Sequence, residues 1–315
     1  MTLHLNTVSP RPRWQLLASV GLVAGLALSG CSAAVDSTGD SSDPAAVAGD
    51  VDAVAAAALP ESFKKAGIIK AASDIPYPPM EMYDAEQNIT GFDHDLAEAL
   101  GVKLGVKFEL QKQAFATAIP SLQAGKNDVI MSGMNDTKER QGTLDFVDYF
   151  HAGFSILVLA GNPDNITGVL DLCGKDVAVP KATVQADILR SYDEECTAAG
   201  PGPVIISELP GETEVQTAVR SGRAVAEVVD SAVAAYTAQT AGDGTMFEVV
   251  TDDANPNGYS PVYSGIGILK ENSDLSEAIR LALVATIADG TYAEILAKYD
   301  LTNYGLDEAG FNLGA

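Results

Sequence analysis

The sequence predicts an α/β fold of two similar lobes. Apolar runs of strand length alternate with helix-spaced apolar residues from residue 60 onward, and one local pattern occurs twice: helix, glycine, basic residue, strand. Roughly 255 residues remain after residue 60, enough for one large or two medium domains.

Residues 68–72 and 107–110 read as short strands, and Phe92, Leu96, Leu100 and Leu104 recur at helical spacing between them. A second helix carries Phe115, Ile119 and Leu122 on one face, stops at Gly125 and feeds a strand at 128–131. Such alternation implies a mostly parallel sheet whose ligands gather at strand C-termini. Residues 132–140 lie at such an end and read as a loop and a helix start. A junction of this kind aims backbone N–H groups and a helix dipole at one point, and Arg140 adds a two-pronged guanidinium suited to a carboxylate.

A fainter copy follows. Residues 177–179 read as a strand, 180–182 as a turn and Thr183 as a helix cap; a helix at 214–220 ends at Gly222 and feeds a strand at 224–229. Leu122-x-x-Gly125-Lys126 parallels Val219-x-x-Gly222-Arg223. The second strand ends at Asp230, so facing lobes would oppose an anion to Arg140 and suit a zwitterion such as an amino acid.

Arg11 and Arg13 precede an apolar stretch at 16–28, too short for a comfortable membrane span, which ends in Leu28-Ser29-Gly30-Cys31. This resembles the lipobox of bacterial lipoproteins, with residues 1–30 as signal peptide and Cys31 as the lipidated first residue of a chain held to the outer face of the cell membrane. Residues 31–59 then read as anchor and flexible tether, being rich in Ser, Gly, Asp and Ala, with a short alanine-rich helix at 51–59 as the alternative. A formal net charge of −24 excludes nucleic acid or an anionic surface held by charge. With Cys31 assigned to lipid, Cys173 and Cys196 form an even pair, read as a disulfide in an oxidising compartment, with two buried thiols as the alternative.

Beyond these features the chain resembles the solute-binding proteins of polar amino-acid ABC importers, over about residues 68–300. The motifs are Ser73-Asp74-x-x-Tyr77-Pro78-Pro79, Gly91-Phe92-Asp93-x-Asp95-Leu96-Ala97, Ile119-Pro120-Ser121-Leu122-x-x-Gly125-Lys126-x-Asp128, Thr137-x-Glu139-Arg140, Asp145-Phe146, Asp230-Ser231 and Ala288-Asp289-Gly290-Thr291-Tyr292-Ala293-Glu294-Ile295. The resemblance implies a two-lobe periplasmic-binding-protein-like fold with lobe 1 at 60–155 plus 265–315, lobe 2 at 156–264, and two hinge crossings near 154–159 and 263–268. It implies that Arg140 holds a ligand carboxylate, helped by Asn135 and Thr183. Asp230 would take the ammonium beside the Gly133 carbonyl. Tyr77 and Phe115 would sandwich the side chain, and Asp74 would reach its far end or merely cap the following turn. The partners implied are an amino acid or related zwitterion and ABC permease subunits, with the protein itself a monomer.

The chain departs from the family pattern at Pro79-Met80-Glu81-Met82, at Ala182-Thr183-Val184, and at Lys181, which would favour an anionic side chain if it pointed inward, whereas Asp74 argues the reverse. Met131 and Met134 near the carboxylate loop read as core filling or as a softer pocket. Polar, basic and acidic amino acids all remain open. Neither a cofactor nor a metal is expected: His4, His94 and His151 form no ligand pattern, and neither a phosphate loop nor a nucleophile elbow is present. The expectation is a binding protein rather than an enzyme. An exported dehydratase or lyase using Glu81, Lys181 or Glu227, and a sensor presenting its ligand to a receptor, are the alternatives.

Overall fold

The computed structural model describes residues 50–255 and 258–314; the expected signal peptide, Cys31 and the expected tether up to residue 49 lie outside them. The first helix, α1 (Ala53–Ala58), is capped by Asp52, whose side chain accepts from the Val54 and Ala55 N–H groups at 3.0 and 2.8 Å. Ala55 and Leu59 are buried, and the Asp52 N–H donates to the Lys103 carbonyl. Residues 50–59 were expected in the tether, with a short alanine-rich helix at 51–59 as the alternative; the helix is what forms, packed on the body. Alanine's helix propensity, a capping aspartate and one buried leucine suffice to order them.

Next come α2 (Glu61–Ala66), β1 (Ile68–Ser73), a small hairpin of β2 (Met82–Tyr83) and β3 (Ile89–Thr90), α3 (Phe92–Leu104), β4 (Lys107–Lys112), α4 (Ala118–Gln123) and β5 (Val129–Ile130). Strand β1 runs between β4 and β5, parallel to both. Phe92, Leu96, Leu100 and Leu104, whose spacing predicts α3, are all buried. The chain continues through β6 (Leu144–Leu159), β7 (Asp176–Pro180), α5 (Gln185–Arg190), α6 (Asp193–Ala199), β8 (Ile205–Leu209), α7 (Glu212–Arg220), β9 (Ala226–Asp230), α8 (Ser231–Thr240) and β10 (Phe247–Val249). It returns through β11 (Tyr259–Leu269) to α9 (Ser273–Ala288) and α10 (Thr291–Lys298). None of the described helices is long and apolar enough to cross a membrane.

The repeated pattern is repeated in space. The Lys126 N–H donates to the Ser121 carbonyl and the Arg223 N–H to the Ala218 carbonyl, closing the two helix ends in the same way. Gly125 and Gly222 sit at φ 67° and 71°, the left-handed turn that only glycine adopts without cost. Each turn then enters the sheet, through Asp128 N–H to the Lys70 carbonyl and Val225 N–H to the Asp176 carbonyl.

Apart from the β2–β3 hairpin, the strands form one path, β4-β1-β5-β11-β6-β9-β7-β8, with β10 also on β6. The 16-residue β6 makes it continuous: up to Phe154 it pairs with β11, and from Phe154 onward also with β9, antiparallel to both. The change of partner falls at the start of the expected crossing at 154–159. Residues 263–268 of β11, the other expected crossing, pair with the first part of β6 on one side and, through Gly267, with Ile130 of β5 on the other. Cys173 and Cys196 are joined by a disulfide between the turn before β7 and α6, inside the second apolar core with Leu172 and Leu189.

Candidate ligand-binding site

A cleft pocket lies where the ends of β1, β5, β7 and β9 converge. Asp74, Tyr77, Phe115, Gly133, Asn135, Thr183 and Asp230, seven residues singled out from the sequence, line it. Arg140 stands at its edge, with the guanidinium 5.3 Å over the Phe115 ring.

The loop carrying Arg140 differs from expectation. No α-helix follows β5; a single 3₁₀ turn spans Arg140–Gly142, with the Arg140 N–H donating to Thr137 Oγ1, and β6 begins soon after. The site therefore lacks the helix dipole the sequence suggested, because the chain turns at once into a sheet strand. Recognition of an anion falls to the guanidinium itself. Arg140 Nη1 donates to the Asn135 carbonyl at 2.7 Å and Nη2 to the Ala182 carbonyl at 2.9 Å, tying the two sides of the cleft together. Burial draws the Arg140 pKa down to about 10, against the charges of Glu139, Asp230 and Asp136. Ala182 holds φ 63°, a left-handed conformation that costs an alanine about 1–2 kcal/mol.

Asp230 ends β9 and is 8% exposed. It accepts from the Tyr77 hydroxyl at 2.5 Å and from Asn135 Nδ2 at 3.4 Å, which also donates to Ser264 Oγ. Burial raises the Asp230 pKa, opposed by the bonds from Tyr77 and Asn135 and by the Arg140 charge. Tyr77 is thus more than one side of an aromatic sandwich: its hydroxyl reaches across the cleft to the acid. Gly133 takes φ 54° directly under the Tyr77 ring, where an added Cβ would lie 3.4 Å from Tyr77 Cε1. Thr183 lines the pocket but departs from its expected role as a helix cap. Its hydroxyl donates to the Pro180 carbonyl at 2.8 Å, and α5 begins without a side-chain cap.

Asp74 lines the far side, with its N–H on Ser132 Oγ at 2.9 Å. Burial raises its pKa, against a bond from the Phe115 backbone and the charge of Lys112. Lys181 is exposed and does not line the pocket. Met80, Met131 and Met134 are buried in the core rather than in the lining. Sequence reasoning missed Ser132, Gln185 and Glu212 as lining residues. Glu227, considered only as a catalytic candidate, is fully buried, near enough to Glu212 for each acid to act on the other's ionisation. A lone acid within the apolar run of β9 was the available signal; Glu212 looked like an ordinary first-turn acid of a helix.

Elsewhere, His94, Asp95 and Glu98 bring their ligand atoms within 4.8 Å of one another on α3, a grouping not foreseen from the sequence. The Asp95 carboxylate is already engaged by His94, Lys298 and Tyr299. His151 stacks on Tyr263 with ring centroids 4.4 Å apart.

Comparison with known proteins decides what kind of cleft this is. The family model for bacterial extracellular solute-binding proteins, family 3, matches residues 69–302. The chain belongs to that family. It is 33% identical over 259 residues to the arginine-binding protein ArgT of Corynebacterium glutamicum, covering 81% of this chain and 82% of that one. To the histidine-binding periplasmic protein of Salmonella typhimurium it is 32% identical over 242 residues, covering 75% and 89%. Among solved structures, an ancestral arginine-binding protein bound to arginine superposes with a TM-score of 0.65 at 34% identity, covering 74% of this chain and 98% of that one. A mutant of the T. maritima protein ArgBP gives 0.67 at 30% identity, covering 76% and 98%. The two-lobe architecture of the family 3 solute-binding proteins is therefore the architecture of this chain, and its role is solute capture outside the cytoplasm.

Proposed function

We propose that this protein captures a cationic amino acid, with arginine the leading candidate, and delivers it to the permease of an ABC importer. One observation carries the choice among amino acids. Among the described residues the lining holds three carboxylates, Asp74, Glu212 and Asp230, and neither a lysine nor an arginine; Arg140 stands at its edge. A zwitterion would pair Arg140 with its carboxylate and Asp230 with its ammonium, leaving Asp74 and Glu212 for a positive side chain lying between Tyr77 and Phe115. The names of the arginine-binding relatives support the same ligand class.

In this reading the lobes meet at 155/156 and 264/265, β6 and β11 are the hinge, and the protein works as a monomer held by lipid on Cys31. Ligand contacts drawn from both lobes favour the closed form and so shift the population toward the shape that a permease recognises. A micromolar affinity corresponds to about −8 kcal/mol, within reach of a zwitterion with its charges paired.

Calorimetry of the purified protein against the twenty amino acids tests the proposal. Arginine or lysine should bind and raise the melting temperature, and Arg140→Ala should cost roughly 2 kcal/mol or more of affinity. Preference for an acidic or apolar amino acid would overturn the ligand class.

A dehydratase-like enzyme remains the second reading, because an ancestral amino-acid-binding precursor of cyclohexadienyl dehydratase is a structural neighbour at 34% identity and a TM-score of 0.64. An acid-lined pocket repels the dicarboxylates such an enzyme would use. Turnover of a prephenate-like acid would establish it nonetheless.

A further inference from the structure

The far end of the pocket holds two glutamates, one behind the other. Glu212 opens α7 and lines the cavity, while Glu227 lies behind it on β9; they are 6% and 0% exposed. Buried carboxylates need donors or a counter-charge. Glu212 Oε1 accepts from Gln216 Nε2 at 2.9 Å. Glu212 Oε2 and both Glu227 oxygens accept from no N–H or neutral hydroxyl donor among the described residues. Nor does any described lysine or arginine form a salt bridge with either. Two carboxyl groups buried together with so few donors resist ionising together, because a second charge would have nothing to pair with.

Burial raises both groups, and the proximity of Glu212 raises Glu227 further. The ionisable groups acting on the pair from neighbouring segments are Asp230 at the end of β9 and, after β1, Asp74 and Tyr77, all acids. On the remaining side Gln216 and the Thr237 hydroxyl of α8 are neutral. A second negative charge is thus opposed from every charged neighbour until a cation arrives.

We propose that Glu212 and Glu227 are the specificity-determining end of the pocket, and that a cationic ligand side chain reaching Glu212 displaces to solvent the proton that the pair retains. The proposal rests on the cationic-ligand reading above. The Glu227 O–H bond breaks, the proton passes to buffer, and the pair goes from one negative charge to two while gaining the positive charge of the ligand. A neutral side chain of the same shape leaves the proton where it is. Affinity for the cationic ligand therefore rises with pH until the free pair has ionised, whereas affinity for a neutral isostere stays flat through the same range.

The test is calorimetry of the purified protein with L-arginine and its neutral isostere L-citrulline, each at about pH 6 and about pH 8 in buffers of different ionisation enthalpy. The expected result is an apparent enthalpy for arginine that varies with buffer, by up to about one proton released, and one for citrulline that does not. Glu227→Gln should abolish the release, since an amide supplies a fixed donor to Glu212. Glu212→Gln should cut the preference for arginine over citrulline about tenfold or more. Arginine binding with no buffer dependence, or the same release in both variants, would overturn the inference while leaving the ligand class intact. Failure of every cationic amino acid to bind would remove the ligand class and this inference with it. If a variant does not fold, as judged by its ligand-free melt, the wild-type buffer series decides.

Discussion

Two buried pairs of acids flank the ligand cleft, and they have been put to different uses. Glu81 and Asp93 sit under the loop at 132–133. Asp93 accepts from the Gly133 N–H at 2.8 Å and the Tyr149 hydroxyl at 2.7 Å, and Glu81 accepts from the Ser132 hydroxyl at 2.6 Å. Glu212 and Glu227 have one such donor, Gln216, and one of them lines the cavity. Burial raises all four groups, Glu81 more strongly than Asp93 and Glu227 more strongly than Glu212. What differs is the supply of fixed donors. With three, a buried acid pair is a strut that holds the Gly133 loop in place; with one, it remains an acceptor that a ligand can still satisfy.

Asp93→Ala should produce the largest effect, about 3 kcal/mol of lost stability in denaturant unfolding, since it strands the Gly133 N–H and the Tyr149 hydroxyl. A loss below about 1 kcal/mol would mean that the first pair is no strut.

The pH profile comes next. Burial holds Asp93 up at about 6 and Asp148 up at about 7, the latter also raised by the Asp136 charge and opposed by the Leu313 N–H. In the folded state these groups keep protons that the unfolded chain has lost. Their contribution is therefore full below the ordinary carboxylate range and disappears as pH rises through 6 and 7. Asp95 acts in the opposite sense: despite burial, bonds from His94, Lys298 and Tyr299 draw it down to about 2, so its contribution disappears as pH falls toward that value. Ligand-free stability should fall by on the order of 2 kcal/mol between about pH 5 and about pH 8, measurable in chemical melts. A flat profile would show that neither acid carries its proton in the fold.

Ser132→Ala removes both the donor to Glu81 and the acceptor of the Asp74 N–H, and should cost about 1–2 kcal/mol with a matching loosening of the pocket wall in hydrogen exchange. Smallest of all, Glu227→Gln should change ligand-free stability by no more than about 0.5 kcal/mol, because an amide replaces a protonated acid of the same shape. A loss as large as that of Asp93→Ala would erase the distinction between the pairs.

The elements of this protein were legible where their causes are local. The spacing of Phe92, Leu96, Leu100 and Leu104 marks α3, and Gly125 and Gly222 mark the two helix ends, since helical periodicity and a left-handed turn each depend on a few neighbouring residues. Arg140 and Asp230 were legible as charged groups following strands. The 3₁₀ turn at Arg140 and the hydroxyl of Thr183 turned back on Pro180 were not, because the start of β6 and the carbonyl nearest Thr183 decide them. Residues 50–59 were read as tether because composition says nothing of the surface that Leu59 finds.

By itself the sequence determined the alternation of helix and strand, its repetition and the family motifs. Only the tertiary structure decided the chemistry of the cleft. Tyr77 meets Asp230 across 153 residues of chain, Arg140 meets the Ala182 carbonyl, and Asp74 and Glu212 reach one cavity from opposite sides. A carboxylate's charge can be read from a sequence, but whether it is solvated, donor-satisfied or facing a ligand depends on what long-range folding places beside it.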